Sequence, residues 1–209
     1  MKFDIDDLLM SNKVPSQDEL LPADFRKKFN LGQVHQLGLA VPSVLEAALR
    51  LESAGLGPFF IAEDDLSFWV ERGENKYFHG KMGVAMLGGY ELELLEAGVG
   101  SNFYSQKFRP DGRIALHHVG FLDHCIEERT KELNDGGIET YVRGRIKLAP
   151  LTIDFAYLDA RKETGLVVEF IDYRLLGRPT KPAAPLMDLA AKAMKLVGMR
   201  QIRLGRKTN

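Results

Sequence analysis

The chain has one cysteine, Cys125, in 209 residues, so no disulfide can form within it. That fits a reducing compartment, and a cytoplasmic protein is the expectation. Neither sign of charge prevails: 28 Lys and Arg face 29 Asp and Glu, for a net charge of −1. There is thus no electrostatic basis for a nucleic-acid or anionic-membrane partner. No run of about 18 apolar residues occurs, so no membrane span is expected and the chain should be soluble. The opening "MKFDIDDLLMSNK" carries acids and lacks an apolar core, so it does not read as a signal peptide. Glycine-rich phosphate loops are missing too, which removes the usual nucleotide-binding motifs.

What is present is a packable 45 % of hydrophobic residues and an order of elements that repeats. After a mixed N-terminal stretch, in which Ser16 could open a short helix, "VHQLGLAV" alternates like a strand and stops at Pro42. "PSVLEAALRLESAG" is an amphipathic helix with Ser43 as N-cap and Gly55 as terminator. "GPFFIAED" is a strand, and "GKMGVAMLGGYELELLEAG" is two strands turning at Gly88 and Gly89. A linker with a Pro-Asp-Gly turn follows. The order then restarts: strand "ALHHVGFLD", a helix ending at Gly136 and Gly137, and strands "IETYVRGRIK", "TIDFAYLDA" and "GLVVEFIDY". Each half spells β-α-β-β-β, a duplication of long period. The expected class is α+β, with duplicated βαβββ modules at 34–100 and 115–173 forming one domain over 34–173. Extensions at 1–33 and 174–209 flank it.

Strand period 2 sorts side chains into faces. Leu37, Leu39, Leu92, Leu94, Val119, Phe121, Val168 and Phe170 fall on faces suited to packing under helices. Gln36, Glu93, His118 and Glu169 fall mid-strand on the opposite faces. Gln36 and His118 each have a glycine two residues on, which should leave empty volume beside them. If the sheet curls, one imidazole, one amide oxygen and two carboxylates converge. That set suits a divalent ion, with an open position at which a substrate carbonyl is polarised.

"QLGLAVP" and "HHVGFLD" resemble the paired first-strand motifs of the vicinal oxygen chelate, or glyoxalase-like, superfamily, and "ELLEAG" and "VVEFID" its fourth-strand motifs. "GLAVPSV" and "YELELLEAG" are most similar to methylmalonyl-CoA epimerase-like members. The resemblance implies a cupped mixed sheet around one divalent metal (zinc, cobalt, nickel, manganese or magnesium). It implies ligand roles for Gln36, Glu93, His118 and Glu169, and a base role for Glu169 or Glu93. It implies an isomerase, epimerase or related lyase acting on a C–H beside a carbonyl, such as that of an acyl-CoA or glutathione adduct, and a homodimer. Lactoylglutathione lyase-type isomerisation, an oxygenase and a metal-free small-molecule binder are the alternatives. Gln36 stands where the epimerases carry histidine. The slot of their second catalytic acid holds Phe78 and His79, so His79 is the substitute candidate there.

The remaining signals are weaker. Period 2 puts His117 on the face opposite His118, matching His35, and gives both a packing or supporting role. Glu91 shares a face with Glu93, and the pair could be a rim. His124 and Cys125 adjoin at a helix start and point apart. Residues 64–78, with Trp69 and Phe68, read as an insertion shaping a pocket together with Phe60 and Phe103. The basic tail with Arg200, Arg203, Arg206 and Lys207 could hold a phosphate, but reads first as a solvated end.

Overall fold

The computed structural model describes residues 3–66, 68–181 and 184–204. The N-terminal segment forms α1 (Ile5–Met10), α2 (Gln17–Leu20) and α3 (Ala23–Lys28). The start of α2 is set by Ser16, whose backbone N–H and hydroxyl both donate to the Glu19 carboxylate. Ile5, Leu9, Leu21, Phe25 and Phe29 are buried in the main core. Asp6 ties this segment down. Arg50, Arg113 and the Ile114 backbone N–H all donate to its buried carboxylate.

The first module runs β1 (Gln36–Ala40), α4 (Val44–Ser53), β2 (Phe60–Asp65), a hairpin of β3 (Phe68–Glu71) and β4 (Glu74–Asn75), then β5 (His79–Leu87) and β6 (Tyr90–Leu95). Ser43 Oγ caps α4 by accepting from the Glu46 N–H. Gly88 and Gly89 turn the β5–β6 hairpin at φ of 58° and 87°, the left-handed conformation that a two-residue loop needs. The second module is β7 (Ala115–Leu122), α5 (Ile126–Asp135), β8 (Thr140–Leu148), β9 (Leu151–Leu158), a short α6 (Arg161–Thr164) and β10 (Val167–Leu175). Then come β11 (Arg178–Thr180), α7 (Ala184–Leu196) and β12 (Ile202–Arg203).

All strands join one mixed sheet in the order β12-β2-β5-β6-β1-β7-β10-β9-β8-β3-β4, with β11 beside β10. Each module contributes its second, third, fourth and first strands in that order, counted inward. The two first strands, β1 and β7, meet antiparallel at the seam. The modules therefore pair within one chain, and the duplicated α+β architecture is the one the sequence leads us to expect.

The curl of the sheet follows from its connectivity. β2 and β3 belong near opposite ends of the strand order, yet only residues 66 and 67 join them. Three Cα steps span at most about 11 Å, so the ends of the sheet approach that closely and the sheet is a cup. Residues 64–78 do more than shape a pocket, although Asp64, Leu66 and Phe78 do line the cavity. They carry the chain across the cup to pair β3 with β8. There Trp69 is buried and stacks on Phe78 with ring centroids 4.0 Å apart, while Phe68 is exposed.

Two apolar clusters divide the molecule. The larger, on the helix side, holds Leu37, Leu39, Leu92, Leu94, Val119, Phe121, Val168 and Phe170, as period 2 requires. The smaller, inside the cup, holds Trp69, Phe78, Phe103, Tyr104, Phe155 and Tyr157 among others. The tail is largely exposed, as expected, but it is ordered up to residue 204 rather than a disordered end. β2 is otherwise an edge with unpaired backbone groups, and β12 pairs with it in parallel. Lys195 and Arg200 reach Glu52, at 2.8 and 3.3 Å, and Arg203 reaches Asp65 at 3.4 Å. Arg206 and Lys207 lie outside the described residues. Among the described residues, no helix is long and apolar enough to cross a membrane.

Candidate metal centre

Gln36, Glu93, His118 and Glu169 come from β1, β6, β7 and β10, the four strands around the seam. β1 pairs with β6 on one side and β7 on the other, and β10 pairs with β7. Four residues far apart in the chain therefore lie side by side on the floor of the cup. Each module makes room for the other's ligand. Gly38 is in register with His118, and a Cβ there would lie 1.9 Å from the His118 ring. Gly120 is in register with Gln36, and a Cβ there would lie 3.0 Å from Gln36 Oε1. The volume beside these glycines is thus not empty, as the strand pattern suggested; the opposite module's side chain fills it.

Three oxygens crowd one ring nitrogen. His118 Nε2 is 3.1 Å from Glu169 Oε2, 3.5 Å from Glu93 Oε2 and 3.4 Å from Gln36 Oε1. A single N–H satisfies one acceptor, and Glu93 Oε2 and Glu169 Oε2 remain buried without a hydrogen-bond partner. Such orphaned oxygens are costly unless a cation meets them. Glu93, His118 and Glu169 have ligand atoms within 4.8 Å of one another and could hold a metal ion. Two carboxylates, an imidazole and an amide oxygen match the charge and donor preference of a divalent cation.

The electrostatics agree with that excess of negative charge. Burial by itself would lower the His118 pKa, but the Glu169 and Glu93 carboxylates outweigh it and push the imidazole up to about 9. Burial raises the Glu169 carboxyl, Glu93 raises it further, and His118 opposes both. Tyr104, Tyr157 and Tyr173 are held well above the usual phenol range, mainly by burial and then by nearby carboxylates, Glu93 for Tyr104, Glu169 for Tyr157 and Glu91 for Tyr173, so they stay neutral.

Two supporting residues sit otherwise than the sequence suggests. The first is His117. Gly38 pairs with His118 but Leu39 pairs with Leu116, so His117 is the extra residue of a β-bulge. The bulge turns His117 toward His118 rather than to the opposite face. Its Nδ1 lies 3.0 Å from His118 Nδ1, and its Nε2 lies 3.3 Å from the Phe103 carbonyl. Burial keeps the His117 pKa well below the usual value, so it is neutral. A neutral ring that donates through Nε2 to Phe103 must accept at Nδ1. The proton between the rings therefore belongs to His118 Nδ1, which leaves His118 Nε2 as the metal-facing nitrogen.

The second is Glu91, which is 1 % exposed and no rim residue. Gln36 Nε2 donates to its Oε1 at 2.8 Å, and the Tyr173 hydroxyl donates to the same oxygen at 3.3 Å. An amide anchored by its nitrogen must present its oxygen to the other side, toward His118. Burial and then the nearby Glu93 push the Glu91 carboxyl up to about 7. The signal was legible in "YELELLE", where Glu91 shares the inward face with Glu93. His35, the other supporting candidate, has its Nε2 3.9 Å from Glu91 Oε2.

His79 is not brought to the cluster. Its Nδ1 is 2.7 Å from Asp65 Oδ1 and its Nε2 is 3.0 Å from Glu63 Oε1. Further along β5 the odd-numbered Gly83 and Ala85 face the helices, since a Cβ at Gly83 would meet Val44 of α4 and Ala85 lies in the larger core, whereas Lys81 borders the cavity. Above the floor opens a cavity of about 550 Å³, bordered by Gln36, Glu91, Glu93, Glu169 and the tyrosines Tyr104, Tyr157 and Tyr173 at this end. Elsewhere its wall is mostly aliphatic and aromatic, Phe60 included.

No known family's sequence profile matches the chain, and no curated protein matches it. Among solved structures it is similar to a hypothetical protein from Bacillus halodurans C-125, with 20 % identity over 72 % of this chain and 96 % of that one, at a TM-score of 0.43. It is similar to a variant of 4-hydroxymandelate synthase from Streptomyces coelicolor, with 14 % identity over 78 % of this chain and 54 % of that one, at 0.46. It is also similar to methylmalonyl-CoA epimerase from Mycobacterium tuberculosis, with 8 % identity over 77 % and 93 %, at 0.42. Likenesses this distant transfer no residue's role.

Proposed function

We propose that the chain is a divalent-metal-dependent enzyme that moves a proton on the carbon beside a carbonyl: an isomerase, epimerase or related lyase. The observation that carries this is the convergence of Gln36, Glu93 and Glu169 oxygens on His118 Nε2, with two buried carboxylate oxygens left unpartnered, at the bottom of a cavity. These four residues would hold the metal, which when bound supplies a Lewis acid that polarises the substrate carbonyl and acidifies the adjacent C–H. The Glu169 carboxylate takes the proton and returns it. Glu93 is the second carrier. The apolar wall keeps bulk water from the reacting carbon.

With His79 turned away, Glu93 and Glu169 deliver and remove the proton from the same floor. One-sided transfer suits an isomerase or lyase better than an epimerase, which needs a base on each face of the carbon. A second reading, a metal-free binder of small molecules, is favoured by the size and apolar lining of the cavity alone.

Elemental analysis of protein purified without added metal, then titration with cobalt, nickel and zinc, separates the two. The enzyme reading requires one tightly held ion per chain and metal-dependent wash-in of solvent deuterium into a carbonyl substrate. His118→Ala and Glu169→Gln are expected to lose both while keeping a native circular-dichroism spectrum. Full exchange in either variant would remove the site from the mechanism.

A further inference from the structure

We infer that the cavity selects a largely apolar, uncharged carbonyl compound, and that the C-terminal segment makes that selection. This rests on the reading of Glu93, His118 and Glu169 as the floor at which the carbonyl end reacts. Away from that floor Phe60, Phe78, Met82, Ile153 and Phe155 make up much of the wall, and the charged groups there are Asp64, Lys81, Glu96 and Lys181. A volume of about 550 Å³ is that of pockets which enclose ligands of drug size.

Charge decides against an anionic substrate. The cationic side chains along the cavity, among the described residues, are Lys81 and Lys181. Lys81 is already paired, its Nζ 3.3 Å from Glu96 Oε1. Asp64, Glu96 and the floor carboxylates outnumber them. A CoA thioester brings several negative charges and a glutathione adduct a net one, and each would meet repulsion with no free arginine or lysine pair among the described residues to offset it. A neutral ketone meets none.

The outer wall comes from chain beyond both modules. Met187 and Ala190 of α7 and Leu204 after β12 line the cavity beside Phe60 and Ala62 of β2. The neighbouring face of α7 is anchored: Ala191 is buried, and Lys195 reaches Glu52 of α4. The helix thus straddles the edge of the first module, with one side fixed to the fold and the other closing the cup. It sets apolar surface where an open cup would meet water.

The test uses the full chain, both chelator-stripped and cobalt-loaded, with Nile red as fluorescent probe. Nile red is expected to bind both forms. Tetralone and cyclododecanone should displace it, whereas propionyl-CoA and lactoylglutathione at the same concentrations should not. Ala190→Trp, which fills the cavity from α7, and Met187→Glu, which puts a charge there, should each weaken Nile red binding by about tenfold. Cobalt content should stay at one per chain, and melting curves report folding. Displacement by the thioesters at lower concentrations than the ketones overturns the inference, as does Nile red affinity unmoved in both folded variants. Ketone binding without any deuterium exchange would instead sink the catalytic reading and leave the cavity's selectivity standing.

Discussion

Gly38 has no side chain because His118 needs the space. A Cβ at that position would fall 1.9 Å from the ring, too close for any adjustment short of moving the imidazole or the strand. Gly38→Ala is expected to cost about 1–3 kcal/mol of stability and to abolish metal uptake, read by denaturant melts and elemental analysis on the same preparation. Retained metal at native stability would show that the seam between modules yields more than its register allows. At the same scale, Glu91 acts through Gln36. Glu91→Leu removes the acceptor of the Gln36 amide and should weaken cobalt binding by about 10- to 100-fold, measured by chelator competition. Glu91→Gln keeps an acceptor oxygen there and should restore most of the affinity. Equal loss in both variants would mean that charge, not orientation, is what Glu91 supplies.

Elements place these residues through irregularities as much as through regular pairing. The bulge in β7 brings two consecutive histidines to one side of a strand, where alternation alone would separate them. His117→Phe preserves a ring in the aromatic cluster around Phe103 and Tyr157 but removes the acceptor for His118 Nδ1–H. It should lower cobalt affinity by about tenfold or more with little change in melting temperature. An unchanged affinity would show that the bulge serves packing only. β3 is the other irregular element, a strand lent by the first module to the far edge of the second. Its Trp69 is fully buried against Phe78, Phe103 and Phe155. Trp69→Ala should therefore cost about 3–5 kcal/mol, followed by circular dichroism because the only tryptophan is gone.

At the scale of the whole molecule, the segments outside the modules hold the cup in shape. Asp6 joins α1 to Arg50 of α4 and to Arg113 and Ile114 just before β7. Burial disfavours its charge, but hydrogen bonds from Arg50, Ile114 and Arg113 prevail and lower its pKa from 3.8 to about 2. A carboxyl lowered on folding stabilises the native state in full above its unfolded value. That contribution drains away as pH falls from about 4 to about 2. It amounts to about 2 kcal/mol at neutral pH, reduced by solvent screening of the partly exposed arginines. Asp6→Asn should remove the same contribution at pH 7 and flatten the acid limb of a stability-against-pH curve. A variant whose acid unfolding tracks the parent would show that Asp6 is not the link.

What the amino-acid sequence determined by itself is the repeated element order and the two faces of the strands. These are local properties: Leu37, Leu39, Val168 and Phe170 alternate with Gln36 and Glu169 whatever they meet, and caps such as Ser16 and Ser43 act within one turn. Gln36, Glu93, His118 and Glu169 were legible for that reason, as mid-strand polar groups on a face the helices leave open. Tertiary structure alone decided everything that depends on a neighbouring strand. The bulge at His117 exists only against the register of β1, Glu91 is buried only once Gln36 and Tyr173 close over it, and His79 is lost to Glu63 and Asp65 across β2. The C-terminal segment orders because β2 offers it an unpaired edge, and backbone hydrogen bonds across a sheet leave no trace in the spacing of the side chains that happen to make them.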